Sequence, residues 1–175
     1  MKPSASKKTA TTTEKALPPA TASGLGVGER VPTFSADDQN DASVGSANLR
    51  GTYVLYFYPR DNTPGCTVEA CEFRDELKQF SAAKVRVVGV SPDSISSHQK
   101  FVAKFKLNFS LLADPDHAVA DAFGTWVLKK NYGKEYMGIE RSTFLIDGAG
   151  VVHAVWRKVR VKGHVAEVLA AAQAL

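Results

Sequence analysis

The sequence predicts one α/β domain, a layered sandwich around a mixed central sheet, and three observations carry that prediction. The first is an unbroken apolar and β-branched run from Val54 to Tyr58 that Pro59 ends, which suits a strand covered on both faces. The second is alternation: this strand precedes a helix, and Val85–Ser91 precedes another over Ser94–Lys106. The third is the ending, a hairpin over residues 142–155 followed by a closing helix over residues 164–174, which adds antiparallel strands to the sheet. A chain of 175 residues, 44% hydrophobic, is long enough for one substantial core. Element order alone leaves several α/β folds open.

Residues 1–24 are rich in Thr, Ala, Ser, Lys and Pro and hold almost no large apolar side chain, so they are expected to form a disordered basic tail ahead of a domain at 25–175. No apolar core follows the basic start, as a secretory signal would need, and the absence of arginine and of an amphipathic pattern weighs against a transit peptide. Targeting or electrostatic tethering remains the alternative for the tail. The glycines of GLGVG at 24–28 follow no strand and miss the nucleotide-loop spacing. Val31–Ala36 and a segment around Val44 predict an edge hairpin across the Asp/Asn-rich turn at 37–41, with one helical turn at 46–50 leading into the central strand.

In the second helix Ile95, Phe101, Val102 and Phe105 should face the core. Leu111–Ala113 reads as a brief edge strand, Asp116 as the cap of a short helix at 118–123, and residues 125–139, with Lys129, Lys130 and Lys134, as a charged surface loop. The net charge of +4 misleads about partners, since Lys2, Lys7, Lys8 and Lys15 of the tail face Glu14 alone and the remainder is close to neutral. Nucleic acid is therefore not expected as a partner. No apolar run approaches the roughly 18 residues that span a bilayer. Two cysteines five residues apart suit neither a disulfide scaffold nor a zinc site, and the four histidines fall in no ligand-like spacing, so no metal is expected.

The segment after the central strand carries the chemistry. Thr63 suits an N-cap and Pro64 the first helical position, which puts Gly65 and Cys66 second and third, in the turn whose free N–H groups favour an anion. A thiol there should ionise readily and be nucleophilic. At 100° per residue Ala70, Phe73, Leu77 and Phe80 lie within about 40° of Cys66, so the thiol should sit where helix meets sheet. Cys71 falls about 140° round the helix, which places the two Cα atoms about 8 to 9 Å apart. A disulfide needs less than about 7 Å, so the pair can bond only if the first turns unwind. Two unrelated buried thiols are the plain alternative.

Pro59, Thr63 and Cys66 match the Pro-x-x-x-Thr-x-x-Cys signature of peroxiredoxins, and YFYPRDNTPGCTVEAC resembles the bacterioferritin-comigratory-protein (PrxQ) subfamily. LLADPDHAVADAFGTW and GIERSTFLID are similar to that subfamily too, and the likeness runs from about Val31 to the C-terminus. The resemblance implies a thioredoxin-like three-layer sandwich and a thiol peroxidase that reduces hydrogen peroxide and organic hydroperoxides without a cofactor. It implies Cys66 as the peroxidatic cysteine, Thr63 as the hydroxyl that orients thiolate and peroxide, Pro59 as the pocket shield, Arg141 as the pocket arginine and Cys71 as the resolving cysteine. Read without the family, Arg141 would be a surface ion-pair partner of Glu140.

A sulfenic acid on Cys66 would be captured by Cys71, and an external dithiol would reduce the disulfide. The resemblance suggests thioredoxin for that step, with glutaredoxin an alternative, and a monomer in a reducing bacterial cytoplasm. Two competing functions fit the fold. A protein thiol-disulfide oxidoreductase would leave Thr63 and Arg141 without a task, and a redox sensor would use the unwinding helix to change a partner surface.

Overall fold

The computed structural model describes residues 24–175, so the expected tail lies outside the described residues except for Gly24. The strands are β1 (Ser35–Asp38), β2 (Ser43–Gly45), β3 (Thr52–Phe57), β4 (Val85–Ser91), β5 (Ser110–Ala113), β6 (Trp126–Asn131), β7 (Lys134–Ile139), β8 (Ser142–Ile146) and β9 (Val152–Trp156). The helices are α1 (Pro64–Ala82), α2 (Ile95–Phe105), α3 (Ala118–Phe123) and α4 (His164–Gln173). Seven strands form one mixed sheet in the order β2-β1-β5-β4-β3-β8-β9, and β6 with β7 forms a separate hairpin.

β3 is the sheet's buried spine, parallel to β4 on one side and antiparallel to β8 on the other. Its period of two divides the core. Val54, Tyr56 and Tyr58 pack with Phe73 of α1, Phe101 of α2 and Val165 of α4 on one face. Tyr53, Leu55 and Phe57 pack with Phe123 of α3 and Phe144 of β8 on the other. Residues 54–57 are completely buried, as a run without polar alternation requires. Gly89 lies opposite Tyr56, and a Cβ there would come within 2.9 Å of the tyrosine ring, so the missing side chain makes room for the ring that floors α1.

Several local expectations need correction. β5 is an interior strand between β1 and β4, because β1 pairs with it antiparallel and covers its outer side. The chief cap of α3 is Asp114, whose carboxylate accepts from the Val119 and Ala120 N–H groups at 3.0 and 2.9 Å, whereas Asp116 makes only a 3.4 Å contact to Ala118. Residues 125–139 are a hairpin, not a loop: Tyr132 and Gly133 both have positive φ, 50° and 74°, the backbone of a tight two-residue turn. The expected edge hairpin exists as β1 and β2, but β1 begins at Ser35 and runs to Asp38, into the expected turn. Residues 46–49 make an isolated turn in which the Leu49 N–H donates to the Gly45 carbonyl.

Candidate active site

Two chain segments meet at Cys66. β3 delivers the loop 58–63 to the start of α1, and the antiparallel pairing of β3 with β8 sets Phe57 opposite Ser142. Arg141 precedes Ser142, so the register alone carries it to the end of β3 where α1 begins, although it is 75 residues from Cys66 in sequence. The Val159 N–H, bonded to the Arg141 carbonyl at 3.0 Å, fixes the backbone there.

α1 begins at Pro64, with Thr63 at the N-cap position, so Cys66 is the third helical residue as expected. The Thr63 hydroxyl does not cap the helix, however. It donates to the Arg60 carbonyl at 2.9 Å, which leaves its oxygen lone pairs free to accept. Cys66 is 2% exposed and shares a packed face with Ala70, Phe73 and Phe80, with Leu77 partly buried beside them. The wheel prediction is correct for that stripe. Cys71 is half-buried further along the same unbroken helix, and both thiols are free.

Arg141 bridges sulfur and carboxylate. Its Nη2 donates to Cys66 Sγ at 3.2 Å and its Nη1 to Glu69 Oε1 at 2.9 Å. The fork of a planar guanidinium suits two acceptors on one helix, and a cation at this distance stabilises negative charge on sulfur. The reading of Arg141 as a surface partner of Glu140 is wrong: its side chain is only 16% exposed, and Glu140 instead faces Arg157 at 3.8 Å. Burial works against the Arg141 charge, but Glu69 and Cys66 outweigh it and hold the guanidinium above its ordinary range.

Glu69 is the site residue that sequence reasoning missed. It is completely buried, and its Oε2 has no hydrogen-bond partner. Burial pushes its carboxyl up to about 7, and Arg141 draws it only part of the way back. A signal was present, because a residue three positions after Cys66 lies about 60° from it on the wheel and puts a carboxylate at the edge of an apolar stripe. The Tyr56 hydroxyl is likewise buried without a partner, and its titration is pushed well up by burial and then by Glu69 and Cys66.

Pro59 is exposed and begins the loop that carries Thr63. A cleft of about 360 Å³ flanks Arg141 between the β6–β7 hairpin and the segment Lys158–Val159. Lys129 lines it, and burial followed by the charge of Arg141 lowers the lysine's titration. The structure thus brings Cys66 and Arg141 into contact, sets Thr63 three residues before the sulfur, and leaves Cys71 apart from it. Among the described residues, no three His, Cys, Asp or Glu side chains gather in a way that could hold a metal ion.

Residues 27–155 match the AhpC/TSA family model. The chain is 52% identical over 144 residues to the peroxiredoxin Bcp of Bacillus subtilis, an alignment covering 82% of this chain and 92% of that protein. Among solved structures it resembles the bacterioferritin comigratory protein of Xanthomonas campestris, described for its alkyl peroxide reduction activity, with 42% identity, a TM-score of 0.78 and coverage of 81% and 90% of the two chains. It also resembles a Cys-to-Ser mutant of PrxQ from Xylella fastidiosa, with 36% identity, a TM-score of 0.81 and coverage of 86% and 96%. With the family model spanning most of the chain and a thioredoxin-like fold shared with these neighbours, the protein belongs to the AhpC/TSA family, as a thiol peroxidase of the Bcp/PrxQ kind.

Proposed function

We propose that Cys66 is the peroxidatic thiol, that Arg141 and Thr63 hold the peroxide against it, and that Cys71 resolves the product. The observation that carries this is the 3.2 Å contact from Arg141 Nη2 to Cys66 Sγ at the third residue of α1. The thiolate attacks one peroxide oxygen, the S–O bond forms as the O–O bond breaks, and the departing alkoxide takes a proton and leaves as alcohol or water. Sulfur loses two electrons and the peroxide gains them. Charge develops on oxygen, so donors already in place count most: the guanidinium and the free N–H groups of the helix start. The Thr63 hydroxyl accepts from the hydroperoxide O–H, and Pro59 shields the pocket.

Cys66 is then a sulfenic acid. The first turns of α1 unwind, Cys71 sulfur attacks Cys66 sulfur, and water leaves as the disulfide forms. A dithiol protein reduces that bond and becomes a disulfide itself. Thioredoxin is the expected reductant and glutaredoxin the substitute. With the resolving thiol on the same helix, one chain completes the cycle, which favours a monomer with residues 25–175 as its domain. Thiol cycling with a dithiol donor places the protein in a reducing cytoplasm. Among the described residues no helix is long and apolar enough to cross a membrane.

The test is peroxide consumption with a thioredoxin system. Cys66→Ser should abolish turnover, and Cys71→Ser should allow one round of Cys66 oxidation but lose efficient recycling. Turnover that survived Cys66→Ser would overturn the assignment.

A further inference from the structure

The loop from Tyr58 to Asn62, which delivers Thr63, is tied to the rest of the fold chiefly through one buried carboxylate. Asp61 Oδ1 accepts from the Tyr58 hydroxyl at 2.6 Å, and its Oδ2 lies 2.8 Å from the Ser97 hydroxyl and 2.7 Å from His98 Nδ1. The other ring nitrogen of His98 lies 3.0 Å from the Leu112 carbonyl oxygen. His98 is therefore a completely buried rod of α2 with one end on the loop and the other on β5. Backbone bonds follow the same line: the Tyr58 N–H donates to Val90 and the Asp61 N–H to Asp93 Oδ2.

These ties stop at Asn62, which has a positive φ of 59° and whose side chain accepts from Lys104. The Thr63 hydroxyl binds only inside the loop, and from the Thr63 carbonyl onward the backbone bonds are those of α1. The ties to α2 and β5 thus break off at Asn62, and the turns that must unwind are held instead by Arg141, through Cys66 and Glu69. We propose that His98 is a positioning residue for the peroxide step, fixing through Asp61 the pivot from which Thr63 and the first turns of α1 swing. The pivot stays bonded to α2 and β5 throughout the cycle and returns Thr63 to the same place after each reduction. This rests on the reading of Cys66 as the peroxidatic thiol and of α1 as the element that unwinds.

The two chemical steps respond differently to losing the pivot. Peroxide attack depends on placement of Thr63 against sulfur, where an error of about 1 Å can cost about a hundredfold. Disulfide formation depends on the reach of an unwound segment, and lengthening a flexible loop by a few residues changes closure only a few-fold.

Rapid mixing of the full chain with hydrogen peroxide, quenched for mass analysis, resolves Cys66 oxidation and disulfide formation separately. His98→Phe should slow oxidation by about ten- to a hundredfold and leave disulfide formation within about threefold of wild type. His98→Asn, whose amide nitrogen takes the place of Nδ1 and can still donate to Asp61, should recover most of the oxidation rate. Val102→Ala, on the same helix but with no part in the bonds to Asp61, should leave both rates alone. Wild-type oxidation in His98→Phe, equal loss of both steps, or the same pattern in Val102→Ala would each overturn the proposal. If His98→Phe fails to fold, ring-nitrogen NMR of the wild type decides. The His98 signals should be the same in the reduced and disulfide forms while amides of Thr67–Ala70 shift, and ring signals that moved with those amides would refute a fixed pivot. Failure of the Cys66 reading appears separately, as turnover that survives Cys66→Ser in an otherwise wild-type chain.

Discussion

Two buried groups within reach of the Arg141 charge titrate in opposite senses, and replacing one should unmask the other. Burial raises Glu69 from 4.5 to about 7, so between those values the folded state holds a proton that the unfolded state has released. Stability supplied by that proton is complete below 4.5 and is lost as the pH rises through about 7. His164, bonded through Nε2 to the Thr143 hydroxyl, is lowered from 6.5 to about 4 by burial and then by Arg141. Its contribution is present above 6.5 and is lost as the pH falls through about 4. Each span is two to three pH units, which at 1.36 kcal/mol per unit is up to about 3 kcal/mol in either direction. The two slopes nearly cancel between pH 4.5 and 6.5. Glu69→Gln keeps the shape and an acceptor for Arg141 Nη1 but removes one titration. Urea unfolding of the reduced protein over pH 4.5–7.5 should therefore show the stability difference, wild type minus Glu69→Gln, falling by up to about 3 kcal/mol across the range. The difference, wild type minus His164→Asn, should rise by a similar amount over pH 4–6.5. A flat difference for Glu69→Gln would refute the claim that burial outweighs Arg141 at this carboxyl.

Two further outcomes follow from the contacts around sulfur. Arg141→Lys keeps the charge but not the fork that reaches Sγ and Oε1 together, so kcat/KM for hydrogen peroxide should fall by about a hundred- to a thousandfold, the usual loss for one removed oxyanion donor. In Gly65→Ala the added Cβ would lie 3.4 Å from Arg141 Nη2 and 3.9 Å from Val161, so the protein should fold with stability equal to wild type or raised by up to about 1 kcal/mol. KM for a bulky organic hydroperoxide should rise more than KM for hydrogen peroxide, which steady-state kinetics with both substrates would show.

The parts of the fold that were legible are those where local chemistry and burial agree. β4 could be read because Val85–Ser91 is nearly all apolar and lies inside the sheet, and the β8–β9 hairpin because Asp147–Gly150 is a turn sequence between two β-branched runs. The β6–β7 hairpin was missed for the converse reason: residues 130–137 are exposed on both faces, so no alternation marks them, and only Tyr132–Gly133 hinted at a turn. Capping by Asp114 was hidden because its carboxylate reaches five and six residues ahead instead of the usual two or three. At the site, the helix start and the Cys66 stripe follow from spacing alone, but the approach of Arg141 depends on the register of β3 against β8, which no local pattern reports. The tie from Asp61 to His98 spans 37 residues and has the same character.

What holds the first turns of α1 also bears on how the enzyme cycles. Thr63 gives no side-chain cap bond, the first turn has no acidic residue to meet the helix dipole, and Gly65 costs helix stability there. Local stability at this end is therefore poor, and the segment owes its order to burial of Cys66 and to the bridge from Arg141 to Sγ and Glu69. The far half is different, with Phe73 and Phe80 fully buried against the sheet. Unwinding that frees Cys66 and stops before Phe73 thus breaks few packing contacts, and oxidation of the sulfur changes the very atom that Arg141 holds. Amide hydrogen exchange of the reduced protein should show Thr67–Ala70 less protected than Leu77–Phe80, by several kcal/mol if the first turns open alone and the rest exchanges by global unfolding. Replacing Arg141 with Met should widen that gap, since the bridge is lost while Phe73 and Phe80 are untouched. Uniform protection along α1 in both proteins would mean that the helix opens as one unit, and a disulfide between Cys66 and Cys71 would then require the whole of α1 to leave the sheet.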